Sequence, residues 1–130
     1  MAHYVDTSAL VKLVVAEPET PALRAWLDEA ERHPVACDLA RTELLRAVRR
    51  AAPDRVVRAR EVLDSLILVE VTTATFEAAG RLDPAVLRTL DAVHLAAALD
   101  LDDDLDGIVT YDDRLAEAAR AHGVAVVAPA

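Results

Sequence analysis

The sequence predicts an α/β protein: a mostly parallel sheet of about five short strands, with helices on both faces. Three observations lead there. Short apolar runs alternate with helical patterns along the whole chain, the arrangement that parallel strands with helical crossovers require. The apolar residues, 54% of the total, are mainly Ala, Val and Leu with one Trp, two Tyr and one Phe, so the core is aliphatic and helix-rich. Finally, two segments near the ends match: His3-Tyr4-Val5-Asp6-Thr7-Ser8 and Gly107-Ile108-Val109-Thr110-Tyr111-Asp112. Each passes from an apolar run to an aspartate beside hydroxyl residues and then into a helical pattern. In open α/β sheets, chemistry collects outside the carboxyl ends of the strands, so the two aspartates are expected to face one cleft.

The elements follow in order. After the first strand, residues 8–15 read as a helix that Pro18 ends, and Thr20-Pro21 opens a second helix through about Ala30. Trp26 of that helix is expected in the core. Pro34-Val35-Ala36-Cys37 is a short strand, and Asp38 caps a helix carrying Leu39, Glu43, Leu44, Leu45 and Val48. Pro53 opens a helix to about Ser65, residues 66–71 form an apolar strand, and Thr73 or Thr75 caps a helix through Leu82. Asp83-Pro84 marks a turn before the helix bearing Asp91. Residues 101–106 form an acidic connector, in which Asp102-Asp103-Asp104 reads as a solvated loop, and residues 107–110 a buried strand. A helix from Asp112 ends at Gly123, and residues 124–127 form the last strand.

A chain of 130 residues fits one domain, 1–130, able to bury a core without disulfides or structural metal. No apolar run approaches the roughly 18 residues that span a bilayer, and the first residues do not read as a signal peptide, so a cytoplasmic protein without a membrane partner is expected. The lone Cys37 agrees and reads as packing. A net charge of −9 argues against an extended phosphate-binding surface. Its distribution qualifies that, because seven of the thirteen arginines fall between Arg41 and Arg60. They form either a solvated helix face, with pairs such as Arg60 and Asp64, or a contact for phosphate or a partner. Arg46, Arg49 and Arg50 share the helix of Glu43 and are the candidates for the second role.

Four acids carry the chemical argument. Asp6 and Asp112 each have a plain structural role as helix caps, and so has Asp113. Glu43 and Asp91 sit among apolar residues in helices, where a carboxylate needs a partner or a metal. Partners are few: the chain has one lysine, Lys12, and its arginines cluster elsewhere. If the four converge, like charges at roughly 4 Å repel by about 4 kcal/mol at an effective dielectric near 20, and a divalent cation relieves that strain. Oxygen-only donors select Mg²⁺ or Mn²⁺ over zinc. His94, three residues after Asp91 on nearly the same helix face, is expected to be structural or to support the site rather than to bind metal.

Val5-Asp6-Thr7-Ser8-Ala9-Leu10, the Thr42-Glu43 helix, Leu90-Asp91-Ala92-Val93-His94-Leu95-Ala96-Ala97 and Val109-Thr110-Tyr111-Asp112-Asp113-Arg114-Leu115 resemble, in order and spacing, the four blocks of PIN-domain ribonucleases, particularly VapC-type toxins. That resemblance covers essentially the whole chain. It implies a three-layer α/β/α fold, a homodimer, a VapB-type antitoxin partner, Mg²⁺- or Mn²⁺-dependent cleavage of RNA, and no direct DNA binding without the antitoxin. It carries Asp6, Glu43, Asp91 and Asp112 over as the metal-binding acids, with Ser8 and Thr110 as supporting hydroxyls. Asp113 is a less certain extra beside Asp112. In the mechanism this implies, Asp6 and Asp91 hold the principal ion, a metal-activated water attacks phosphorus in line, and the products carry a 5′-phosphate and a 3′-hydroxyl. Two other readings are a phosphohydrolase with Asp6 as nucleophile and a cation-binding interaction module. The first lacks the second acid two residues on, where this chain has Ser8, and the second fits Glu43 and Asp91 in separate helices poorly.

Overall fold

Strand β1 (Ala2–Val5) lies at the centre of a five-stranded parallel sheet ordered β3-β2-β1-β4-β5, in a computed structural model that describes residues 2–30 and 32–130. The chain leaves β1 through helices α1 (Thr7–Lys12) and α2 (Thr20–Asp28) to β2 (His33–Cys37), and through α3 (Leu39–Ala51) and α4 (Val56–Asp64) to β3 (Ile67–Val69). It then crosses by α5 (Thr73–Arg81) and α6 (Thr89–Leu99) to β4 (Leu105–Val109) on the other side of β1, and ends in α7 (Asp113–Ala121) and β5 (Val126–Val127). The reversal of direction falls between β1 and β4. At such a switch point two consecutive loops part to opposite faces and leave a crevice at the carboxyl ends of the strands.

Alternation along the strands sorts the core into two layers. Val5, Ala36 and Val109 face one side and pack with Leu10, Leu23, Leu44, Val48 and Leu63 from α1 to α4. Their neighbours Tyr4, Cys37 and Ile108 face the other side and pack with Leu95, Leu115 and Ala119 from α6 and α7. This is the period of two expected of strands buried on both faces, and it makes the three α/β/α layers. Gly107 is needed where β5 passes close by, because a Cβ there would stand 3.0 Å from the Ala125 carbonyl oxygen. Gly123, with φ +76°, ends α7 as expected.

Several boundaries differ from expectation for local reasons. The helix expected from Pro53 to Ser65 begins as a single 3₁₀ turn, Pro53–Arg55, before α4 takes over. Thr72 rather than Thr73 or Thr75 caps α5, its hydroxyl accepting from the Thr75 amide at 3.2 Å. Asp38 does not cap α3; its carboxylate accepts from the Val71 amide at 3.3 Å and ties the end of β2 to the segment after β3. The strand expected over residues 66–71 shortens to Ile67–Val69, and β4 begins inside the acidic connector, at Leu105. Asp102, Asp103 and Asp104 are exposed. On α4 the ion pair joins Arg58 and Glu61, at 3.3 Å, and not Arg60 and Asp64. Trp26 is half-buried against the core, with His3 edge-on at 4.8 Å and the Arg32 guanidinium 4.0 Å over its ring. Among the described residues no helix is long and apolar enough to cross a membrane.

Candidate active site

The crevice between β1 and β4 is built by two hydroxyls. Ser8 Oγ accepts from the Tyr111 amide at 2.9 Å, and Thr110 Oγ1 accepts from the Asp112 amide at 3.1 Å, with 3.4 Å between the two oxygens. They staple the loop after β1 to the loop after β4. Asp6 caps α1 by accepting from the Ser8 amide, and its other oxygen accepts from the Thr110 hydroxyl. The cap and the site are therefore the same residue. Asp6 is 4% exposed, and burial pushes its carboxyl above the ordinary range against the opposing hydrogen bonds of Thr110 and Ser8.

Asp112 also serves twice. Its Oδ1 caps α7, accepting from the Arg114 and Leu115 amides at 2.9 and 3.0 Å, while Oδ2 accepts from Arg88 at 3.1 Å. Asp113 is exposed and opens α7, so Asp112 is the acid of this pair that faces the crevice. Asp91, in the first turn of α6, accepts from Arg88 Nε at 3.3 Å. Burial raises its carboxyl above the ordinary value, the charge of Asp112 and then that of Asp6 add to the rise, and Arg88 opposes it. Asp6, Asp91 and Asp112 therefore share one electrostatic environment.

Glu43 approaches from α3 on the other side. One carboxylate oxygen accepts from the Thr7 hydroxyl at 2.9 Å and meets His94 Nε2. The imidazole is 2% exposed; its Nδ1 shares a hydrogen bond with Tyr4 Oη at 2.7 Å and has the Cys37 sulfur at 3.8 Å. Burial alone would depress the imidazole, but the contacts with Cys37 and Glu43 outweigh it and raise His94 to about 10. Glu43 responds in the opposite sense: burial favours its neutral form, and the His94 contact holds it below the usual carboxylate value.

The expectation that few cations could pair with these acids is corrected in two ways. Arg88 lies outside the arginine island, three residues before Asp91, and bridges Asp91 to Asp112. His94 supplies the partner of Glu43, as a supporting group. Arg88, Thr7 and Tyr4 are the residues that sequence reasoning missed. The i,i+3 spacing of Arg88 and Asp91 was the available signal. Arg46, Arg49 and Arg50 lie exposed around one shallow depression on α3 and, among the described residues, hydrogen-bond to none of the four acids.

A divalent cation fits this donor set. It consists of hard carboxylate oxygens, and two of its members, Asp6 and Asp91, hold their protons more tightly than usual, a charge imbalance that a cation relieves. Among the described residues no three acid, imidazole or thiol groups are gathered around one point as a metal cage; Glu43 is held by His94, and Arg88 bridges Asp91 and Asp112.

Residues 3–121 match the pattern of the PIN domain. The chain belongs to the PIN-domain family. Among its relatives, Ribonuclease VapC46 of Mycobacterium tuberculosis is 46% identical over 129 residues, covering 98% of either chain. Ribonuclease VapC47 of the same species is 42% identical over 130 residues, with 97% of this chain and 96% of that protein covered. The relatives place it in the VapC branch. Two solved structures have the same fold. The crystal structure of M. tuberculosis VapC20, described as a sarcin–ricin loop cleaving toxin, superposes with a TM-score of 0.77 at 18% identity and covers 98% of this chain and 100% of that one. A toxin–antitoxin complex from Klebsiella pneumoniae gives 0.75 at 18% identity, covering 99% of this chain and 98% of that chain. The three-layer PIN architecture is thus the fold of this protein.

Proposed function

We propose that the chain is an endoribonuclease, the toxin of a VapBC-type pair, hydrolysing RNA phosphodiester bonds with Mg²⁺ or Mn²⁺. The observation that supports this reading is that Asp91 and Asp112 share Arg88 where the loop after β4 is tied to Asp6 through Thr110, at the switch point of a PIN-domain sheet, with Glu43 fixed by Thr7 of the loop after β1. The names of the VapC46 and VapC47 ribonucleases, similar along nearly their whole length, support the reaction class.

Asp6 and Asp91 would hold the principal ion, with Asp112 Oδ2 and Glu43 completing its surroundings directly or through water. Such an ion supplies neutralisation of the charge that builds on the phosphate, and it makes a nearby water more acidic. The remaining work falls to the chain. Thr110 and Ser8 fix the orientation of Asp6 through hydrogen bonds to its two oxygens. The Glu43–His94 pair keeps Glu43 charged at the edge of the crevice, so that its negative charge would be available to the ion or to a water bound to it. No histidine base is needed, and His94 is buried and committed to Glu43 and Tyr4. The products carry a 5′-phosphate and a 3′-hydroxyl.

The reading also takes in a cognate VapB-type antitoxin, a homodimer in the cytoplasm, and DNA contact only through the antitoxin. Arg46, Arg49 and Arg50 are assigned to RNA phosphates or to an acidic stretch of the partner, within about two turns beyond Glu43 on the same helix. The test is cleavage of a single-stranded RNA by purified protein with Mn²⁺ and with excess EDTA. Cleavage that stops in EDTA, and that Asp6→Asn and Asp91→Asn each reduce by about 100-fold or more, is the expected result. Undiminished cleavage in chelator would overturn it.

A further inference from the structure

Arg88 touches two of the four acids at once, and the reading above gives it no task. It stands immediately before α6 with extended backbone, and its side chain is 64% exposed at the mouth of the crevice. Nε donates to Asp91 Oδ2 at 3.3 Å and Nη2 donates to Asp112 Oδ2 at 3.1 Å, the second contact joining the start of α6 to the start of α7. Asp112 has no other oxygen to offer. Its Oδ1 is taken by the Arg114 and Leu115 amides, so any cation that Asp112 helps to hold must use the oxygen that Arg88 uses.

A guanidinium and a divalent ion at that oxygen repel each other, and the arginine is the one free to move, having a long exposed side chain. Once displaced, it remains anchored at the rim of a crevice that now carries added positive charge. A phosphodiester is the anion whose geometry its planar fork matches, through paired N–H···O contacts. We propose that Arg88 is a displaceable counter-ion of the acid pocket: it yields Asp112 and Asp91 to the divalent ion, then grips an RNA phosphate beside the bond to be cut. The inference rests on the ribonuclease reading for its substrate, but each half can be read by binding alone.

The test compares wild type with Arg88→Met, which keeps length and loses charge, and Arg88→Lys, which keeps charge and loses the fork. Calorimetric titration with Mn²⁺ alone should show Arg88→Met binding about 3-fold to 10-fold tighter, since a competitor worth an exposed ion pair is gone. Anisotropy of a labelled mixed-sequence oligoribonucleotide at saturating Ca²⁺, an ion that takes the same oxygen donors, with gel analysis to check that the strand stays intact, should show Arg88→Met binding about 10-fold to 100-fold weaker. Arg88→Lys should fall between in both. Opposite signs in the two titrations are the signature, because simple loss of structure weakens both ligands. Mn²⁺ affinity that is unchanged or reduced in Arg88→Met overturns the competition, and unchanged RNA affinity overturns the grip. Wild-type protein that binds Mn²⁺ yet leaves RNA intact would overturn the ribonuclease reading instead, with both binding comparisons still deciding the place of Arg88.

Discussion

The two sides of the acid crevice solve one problem in different media. On the inner side Glu43 is paired with His94, the side chains being 20% and 3% exposed, and the imidazole is fixed in turn by Tyr4 and Cys37. On the outer side Asp91 and Asp112, 16% and 25% exposed, share Arg88, which is 64% exposed. Removing one partner of a buried pair strands the other charge and costs about 3–5 kcal/mol, whereas an exposed pair is worth about 0–1 kcal/mol. The inner pair is therefore a fixed strut and the outer pair a loose latch. A site that must admit an ion and a polymer can open only on the side where opening is cheap.

The largest effect expected from this contrast is on stability. His94→Leu removes the cation beside Glu43 and one of two partners of the Tyr4 hydroxyl, which keeps the Cys37 amide, and urea unfolding should show a loss of about 3 kcal/mol, the lower end of the buried range because Glu43 keeps Thr7 and some solvent. A loss below about 1 kcal/mol would place the inner pair in the same class as the outer one.

A pH series sharpens the same comparison. Glu43 titrates below its ordinary 4.5, so the stability it contributes is present above that value and is lost as pH falls through its lowered native value. His94 is raised from 6.5 to about 10, so its contribution is complete below 6.5 and is lost as pH climbs toward 10. In chelator the wild type should therefore show a plateau falling away on both sides. The high-pH limb between 6.5 and about 10 should be missing in His94→Leu. A limb that survives there would assign it to another group.

These two sides were unequally legible in the sequence. The parallel α/β fold was readable because continuous apolar strands, Pro21 and Gly123 act locally, and Asp6 and Asp112 announce themselves by following strands, although the helix expected to run to residue 15 ends at Lys12, well before Pro18. Strand order was not, since nothing local places β4 beside β1. The inner pair was hidden for the same reason: Glu43 and His94 lie 51 residues apart and His94 and Tyr4 lie 90 apart, so the crossover topology alone brings them together. The latch was visible and overlooked. Arg88 and Asp91 have ordinary i,i+3 spacing, but the reach of Arg88 to Asp112, 24 residues on, depends on how α6 and α7 converge.

Asp6 lies between the two regimes, buried like the inner pair but, among the described residues, without an ion pair of its own. Because burial raises its carboxyl from 3.8, it favours the fold at pH below that value, and the contribution is lost as pH rises through the raised native value. Asp6→Asn should therefore be as stable as wild type or more so at neutral pH in chelator, while losing RNA cleavage. Lower stability there would mean that its two hydrogen bonds, from Ser8 and Thr110, outweigh the burial of its charge.

The smallest effect belongs to the latch. Arg88→Ala breaks two ion pairs at once, more than His94→Leu breaks, yet its cost in urea should be no more than about 0.5 kcal/mol. The guanidinium is mostly in water, so its attraction to Asp91 and Asp112 is screened, and ordering a long side chain offsets much of what remains. Salt offers a second measure of the same quantity. Raising ionic strength should shrink the difference between wild type and Arg88→Ala toward zero, while leaving the larger loss in His94→Leu almost unchanged, because the inner pair is shielded from mobile ions by the protein around it. Equal salt sensitivity in the two variants would show that the strut and the latch are energetically alike, and the division of the crevice into a fixed and a moving side would fail.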